Sequence, residues 1–214
     1  MFGPADHRHM ARALALAERG RYSADPNPRV GCVIIRDGEV VGEGWHRRAG
    51  DAHAEIDALR SAGENVRGGT VYLTLEPCSH TGRTGPCAPE LARAGVSRVV
   101  IAMEDPNPRV CGDGRRMLEE AGIRVESGLL LDEAAALNAG FISRMTRGRP
   151  QVTLKLGASL DGRTAMASGE SQWITQTGAR EDVQRLQCAD EPTLSVTRTP
   201  SVARADAQTL AARA

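Results

Sequence analysis

Residues 70–95 read TVYLTLEPCSHTGRTGPCAPELARAG, and three local patterns follow one another within them. Thr70–Leu75 has the composition of a strand. Pro77 and Cys78 leave it, and the polar run Ser79–Pro86 carries His80 and Arg83. Ala88–Ala94 then makes a short helix that Gly95 ends. Strand, loop and helix form half of an α/β unit, and a further strand, Val96–Met103, follows at once. Upstream, Glu55–Ala62 is helical. Before it, Val30–Ile35 and Val40–Trp45 flank the two-residue turn Asp37-Gly38, the pattern of a β-hairpin, so the sheet begins antiparallel. A Pro-bearing loop, Asp25–Pro28, precedes the hairpin. Met10–Arg19 reads as a helix with Met10, Ala13, Leu14 and Ala17 on one apolar face, stopped by Gly20. Downstream come a helix over Arg115–Ala121 stopped by Gly122, a strand over Ile123–Glu126, and a helix over Leu131–Met145. Strands alternating with helices after an initial hairpin predict a three-layer α/β/α domain with a mixed sheet over residues 1–146. No internal repeat is evident.

Arg147–Pro150 reads as a linker. The chain restarts with a strand, Val152–Leu156, and residues 147–187 read as the opening of a second α/β domain. From Cys188 to Ala214 Ala, Arg, Thr, Ser and Asp dominate without helix or strand period, which predicts a divergent, disordered tail. This tail reads either as the product of a deletion or frameshift in a GC-rich gene or as a natural short extension used in oligomer contacts. The near absence of Lys, with Lys155 alone among many Arg, agrees with GC-rich coding.

The 214 residues are 41% hydrophobic, enough for one good core and part of another. Lys+Arg and Asp+Glu both count 27, so no global basic field attracts a polyanion, and a nucleic-acid partner is not expected. No segment has the roughly 20 apolar residues of a membrane span, and Met1–Arg8 is polar, which predicts a cytoplasmic protein. Five cysteines do not make a disulfide framework in a chain of this size, and spaced cysteines in a reducing compartment point to metal. Cys32 and Cys111 read as inert packing thiols, and His7 and His9 as solvated.

His53, Ala54 and Glu55 stand at the start of a helix, Pro77-Cys78 follows a strand, and Cys87 comes nine positions after Cys78. One imidazole and two thiolates leave a fourth tetrahedral position for water, the composition of a catalytic zinc site. Glu55 is too close in sequence to His53 to serve comfortably as a fourth ligand, and reads as the catalytic general base and acid. Zinc nucleobase deaminases carry His-x-Glu followed by Pro-Cys-x-x-Cys. Here eight residues instead of two separate the cysteines. The inserted His80 and Arg83 suit a substrate that bears a phosphate.

Asp25–Val30, Gly42–His46, His53–Glu55, Thr74–Cys87 and Asp105–Pro108 together resemble the N-terminal domain of the bifunctional riboflavin biosynthesis deaminase/reductases. The resemblance covers residues 8–146. It implies a hydrolase that removes an exocyclic amine from diaminohydroxyphosphoribosylaminopyrimidine, with one zinc per chain. It also implies that Asn27 hydrogen-bonds the substrate beside the metal and that His46, His80 and Arg83 face the ribose phosphate. A His at a strand end, such as His46, serves equally often as a satisfied structural group.

Lys155–Thr164 and Ser168–Thr175 resemble the opening of the same family's NADPH-dependent reductase domain, which has a dihydrofolate-reductase-like fold. Matching positions imply Gly157 and Trp173 at the nucleotide and Ser171 at the reductase substrate, while Gln187 stands where the family carries a substrate-binding Arg. Such a domain needs on the order of 200 residues, so the expectation is a reductase remnant that does not bind NADPH. The expected partners are a small phosphorylated pyrimidine and further copies of this chain in a homo-oligomer, with neither nucleic acid nor membrane. Two other functions fit more loosely. A deaminase of other nucleotides or of tRNA would lack the long cysteine spacing or show a basic stripe, and a metal-stabilised assembly module would not need Glu55.

Overall fold

The computed structural model describes residues 2–80, 85–108, 111–152, 157–170 and 175–189, the last four by their backbone alone. The chain divides into two units after Val152. The first is built on a five-stranded sheet of β1 (Gly31–Arg36), β2 (Glu39–Trp45), β3 (Thr70–Leu73), β4 (Arg98–Ile101) and β5 (Arg124–Ser127), in the order β2-β1-β3-β4-β5. The hairpin β1/β2 and the pair β1/β3 are antiparallel, and β3/β4 and β4/β5 are parallel. The expected mixed sheet is therefore present. Its strands are shorter than composition suggests, because β4 extends only where it has partners: Arg98–Ile101 lies between Thr70–Leu73 and Arg124–Ser127.

Burial on both faces explains the uninterrupted apolar runs of the central strands. On one face Ile34, Val71, Leu73, Val99 and Ile101 meet α2 (Ala54–Ala62), α3 (Cys87–Ala94) and α4 (Asp113–Glu120) through Ala58, Leu91 and Leu118. On the other, Val33, Ile35, Tyr72 and Val100 meet α1 (Pro4–Glu18) and α5 (Leu131–Leu137) through Met10, Ala13, Leu16 and Ala134, with α6 (Ala139–Arg147) packed at the margin by Phe141 and Ile142. These are the three layers. Helix α2 lies very close to the hairpin. A Cβ at Gly44 would sit 2.2 Å from the carbonyl oxygen of Ala54, so glycine in β2 and alanine on α2 together permit the approach that seats the first turn of α2.

Several sequence expectations are corrected. Helix α1 begins at Pro4 instead of Met10, because Pro4 opens the helix and the Asp6 carboxylate accepts the Gly3 N–H at 2.8 Å. Its buried face uses Leu16, while Leu14 is only partly buried. The single helix expected over Leu131–Met145 is two, α5 and α6, separated at Asn138, whose backbone (φ −115°, ψ 23°) leaves the helical conformation. Cys111 is exposed in the turn before α4, not packed. His9 is half-buried with its ring 5.2 Å from that of Tyr72, not fully solvated.

In the second unit the described residues include one helix, α7 (Thr177–Ala189). Val152 is not in a strand, and the rest of the strand expected over Val152–Leu156 lies outside the described residues, as does the tail from Asp190. No helix among the described residues is long and apolar enough to cross a membrane.

Candidate active site

Three chain segments converge at one end of the sheet. His53 is the extended residue (φ −71°, ψ 160°) immediately before α2, Cys78 follows Pro77 beyond β3, and Cys87 is the first residue of α3. His53 Nδ1 lies 3.2 Å from Cys87 Sγ and 3.5 Å from Cys78 Sγ, and all three donor atoms fall within 4.8 Å of one another. A tetrahedral site with metal–ligand distances of roughly 2.0–2.3 Å has edges of roughly 3.3–3.8 Å, so the spacing fits zinc.

Without a cation the two sulfurs share a single negative charge. The Cys87 N–H donates to Cys78 Sγ at 3.3 Å. The hydrogen bond from the Cys87 thiol pushes the Cys78 thiol well down, helped by His53 and that N–H and opposed by burial. The same contact pushes Cys87 up, since its neighbour already holds the negative charge. His53 is pushed up by its hydrogen bond to Cys78. Two thiolates this close need a positive charge between them. One imidazole and two such sulfurs are a zinc donor set.

Glu55 projects from the first turn of α2 into the same pocket. Its side chain is buried, and that burial pushes its carboxyl up to about 7, with the Cys87 thiol as a hydrogen-bond partner. Seating α2 on the hairpin through Ala54 and Ala58 sets this orientation.

A cleft of about 440 Å³ opens over these residues, and Asn27, His46 and His80 also line it. Asn27 Nδ2 is 3.0 Å from His46 Nε2, and His46 Nδ1 is 3.2 Å from the carbonyl oxygen of Ala52. A carbonyl only accepts, so Nδ1 carries the proton and Nε2 accepts from the Asn27 amide. Both ring nitrogens of the buried His46 are thereby engaged, and burial pushes its pKa down. The structure thus brings together His53, Glu55, Cys78, Asn27, His46 and His80, with Cys87 completing the donor cluster. Arg83, Ser171 and Trp173 lie outside the described residues, and Gly157 belongs to the second unit.

Residues that carried no assignment in the sequence reading also line the cleft: Asp51, Glu76, Asp105, Asn107, Phe141 and Met145. One sequence signal was available. The hexapeptide Asp-Pro-Asn-Pro-Arg-Val at 25–30 recurs at 105–110, a short internal repeat that a reading by periodicity passes over. Asn27 of the first copy and Asn107 of the second reach the same cleft. Glu76 had no comparable signal. It is buried beside Pro77, and its carboxylate accepts the N–H groups of Asp105 (3.0 Å), Gly112 (3.0 Å) and Arg115 (3.1 Å). This ties the 105–115 segment to the strand end that carries Cys78. The approach is close: a Cβ on Gly114 would sit 1.9 Å from the carbonyl oxygen of Pro77.

Residues 4–103 match the cytidine and deoxycytidylate deaminase zinc-binding region, and residues 150–214 match the RibD C-terminal domain. The riboflavin biosynthesis protein RibD of Escherichia coli K12 is 60% identical over 204 residues, covering 89% of this chain and 56% of that protein. RibD of Haemophilus influenzae is 54% identical over 198 residues, covering 92% and 53%. Among solved structures, Acinetobacter baumannii RibD (form 1) is similar with a TM-score of 0.82 at 55% identity, over 86% of this chain and 52% of that one. A diaminohydroxyphosphoribosylaminopyrimidine deaminase/5-amino-6-(5-phosphoribosylamino)uracil reductase of Thermotoga maritima gives 0.81 at 41% identity, over 86% and 53%. The chain spans about half the length of the curated relatives it matches. With both family regions present in order, and with such identity running from the first unit into the second, the chain belongs to the RibD deaminase/reductase family of riboflavin biosynthesis.

Proposed function

We propose that this chain hydrolytically deaminates diaminohydroxyphosphoribosylaminopyrimidine to the corresponding aminouracil phosphate, with His53, Cys78 and Cys87 holding one zinc and Glu55 as the catalytic acid and base. The observation that carries this reading is the His53, Cys78 and Cys87 donor cluster, whose ligand atoms lie within 4.8 Å of one another, with the buried Glu55 beside it in one cleft. Zinc held there would supply the Lewis acidity that makes water nucleophilic near neutral pH. In the overall change one C–O bond forms and one C–N bond breaks, water is consumed and ammonia leaves. Glu55 takes a proton from the attacking water and delivers it to the departing amine, the double duty of a general base and acid placed beside the metal ligands.

Asn27 presents its amide to the pyrimidine, and His46 orients that amide from behind through the 3.0 Å contact. His80, which lines the cleft, and Arg83 would bind the ribose phosphate. For His46 the two engaged ring nitrogens support orientation of Asn27 over direct contact with phosphate. We attribute no NADPH-dependent step to the second unit, in which Gln187 stands where the family resemblance expects a substrate-binding Arg. Exposed Leu160 and Met166 support self-association, which light scattering would read as a mass above 22.8 kDa.

The test is release of ammonia from the phosphorylated diaminopyrimidine by the zinc-loaded chain, measured beside cytidine and deoxycytidylate. Turnover of the diaminopyrimidine alone is expected. Preference for either cytosine compound would overturn the substrate assignment.

A further inference from the structure

We propose that Asn138 is a positioning residue of the deaminase, fastening the backbone of the loop that carries Asn27 from the break between α5 and α6. The proposal rests on the deaminase reading above. Asn138 is only 3% exposed, and its amide side chain pairs with both polar groups of a single backbone residue. Asn138 Oδ1 accepts the Arg29 N–H at 2.8 Å, and Nδ2 donates to the Arg29 carbonyl oxygen at 3.0 Å. An amide is the side chain that offers one donor and one acceptor in this geometry. Aspartate would set an oxygen against the Arg29 carbonyl, and alanine would leave a buried N–H and C=O unmatched.

Two further contacts strengthen the clamp. The Arg29 guanidinium donates to the Leu137 carbonyl oxygen at 3.2 Å, and the Arg144 guanidinium donates to the carbonyl oxygen of Pro26. The loop is therefore held on both sides of Asn27. Its far end is secured independently, since the His46 N–H donates to the Val30 carbonyl oxygen at 2.9 Å. From the same helix α6, Phe141 and Met145 line the cleft. Local sequence does not account for this: Asn138 and Arg29 are 109 positions apart, and Asn138 lies beyond the stretch that matches the cytidine deaminase zinc-binding region. The helix interruption at Asn138 gives up regular helical continuation to free this side chain for the loop. In this reading α5 and α6 form a wall of the site that keeps the Asn27 amide aimed at the pyrimidine.

The experiment uses the full zinc-loaded chain and compares wild type, Asn138→Ala, Asn27→Ala and the double variant, with zinc content, amide exchange over residues 25–31, and kinetics on the phosphorylated diaminopyrimidine. Asn138→Ala should keep its zinc, lose exchange protection at Arg29 while β3 and β4 stay protected, and lose about tenfold to a hundredfold in kcat/KM, as expected for misplacement of a substrate contact. In the Asn27→Ala background the same substitution should cost less than about twofold, since it acts through Asn27. Arg144→Ala, which removes one surface tether, provides a milder test should Asn138→Ala fold poorly, with a several-fold loss that also vanishes in the Asn27→Ala background. Unchanged exchange at Arg29, unchanged kcat/KM, or full additivity with Asn27→Ala would overturn the proposal. A wild-type chain without turnover would instead refute the deaminase reading, and the exchange data would still report whether Asn138 holds the loop.

Discussion

Replacing Glu76 with Gln keeps the size and shape of the side chain and removes its charge, which isolates the three N–H contacts that tie the 105–115 segment to the strand end before Cys78. One carboxylate oxygen takes Asp105 and Gly112, and the other takes Arg115. In the better of two amide orientations Gln keeps its oxygen toward Asp105 and Gly112 and turns its NH₂ toward the Arg115 N–H. One charge-assisted bond, about 1.5–3 kcal/mol, is then lost, and the other two weaken to neutral-acceptor strength. The expected cost is about 3 kcal/mol, which for a chain of this size lowers the melting temperature by roughly 6–12 °C. Glu76→Ala, which removes all three acceptors, should cost more. Glu104 supplies the control: it is a more exposed neighbour that pairs with Arg115 at 3.3 Å, and Glu104→Gln should stay within about 0.5 kcal/mol of wild type. Thermal unfolding of the zinc-loaded protein, with amide exchange at Asp105 and Gly112, measures both variants. A Glu76→Gln melting temperature equal to that of Glu104→Gln, or unaltered exchange at those two amides, would show that Glu76 does not hold the 105–115 segment.

Other perturbations address the metal, the phosphate and the outer face of the sheet. Cys78→Ser should drop zinc from about one per chain to a small fraction by elemental analysis, because a serine oxygen is a poor substitute in a His/Cys/Cys set; unchanged zinc would dismiss Cys78 as a ligand. Arg83→Ala should raise KM for the phosphorylated substrate by roughly one to two powers of ten, and an equal effect on the dephosphorylated nucleoside would exclude a phosphate contact. Burial pushes the Asp6 carboxyl up, but the hydrogen bonds from Arg98, the Gly3 N–H and the Tyr72 hydroxyl outweigh it and hold the group well below its ordinary 3.8. Its stabilising contribution is therefore present above pH 3.8 and disappears as pH falls through the lower folded value. Asp6→Asn should be less stable at neutral pH and show a shallower decline in acid; parallel decline in both proteins would contradict the assignment.

What was legible in the sequence is what chemistry or short range specifies. The hairpin follows from Asp37-Gly38 between two β-branched runs, and the metal cluster follows from residue types that have few other uses together. The helix stop at Gly95 is likewise local, with φ 75° in the left-handed region that glycine favours. What was not legible depends on distant partners. Nothing near Asn138 signals that its side chain will be used by Arg29, so a helical period through it predicted one continuous helix. Glu76 sits in the same motif as Cys78, yet its partners are 29 to 39 positions away. The choice of Leu16 over Leu14 on α1 depends on how the helix rotates against β1, which the apolar spacing alone does not resolve.

In the proposed mechanism Glu55 moves protons and does not hold the metal, and one variant separates the two roles. The most direct test measures zinc content and deamination of diaminohydroxyphosphoribosylaminopyrimidine on one preparation of Glu55→Gln. Zinc at the wild-type level with turnover lower by several powers of ten is the predicted result. Turnover retained, or zinc lost together with it, would contradict the account.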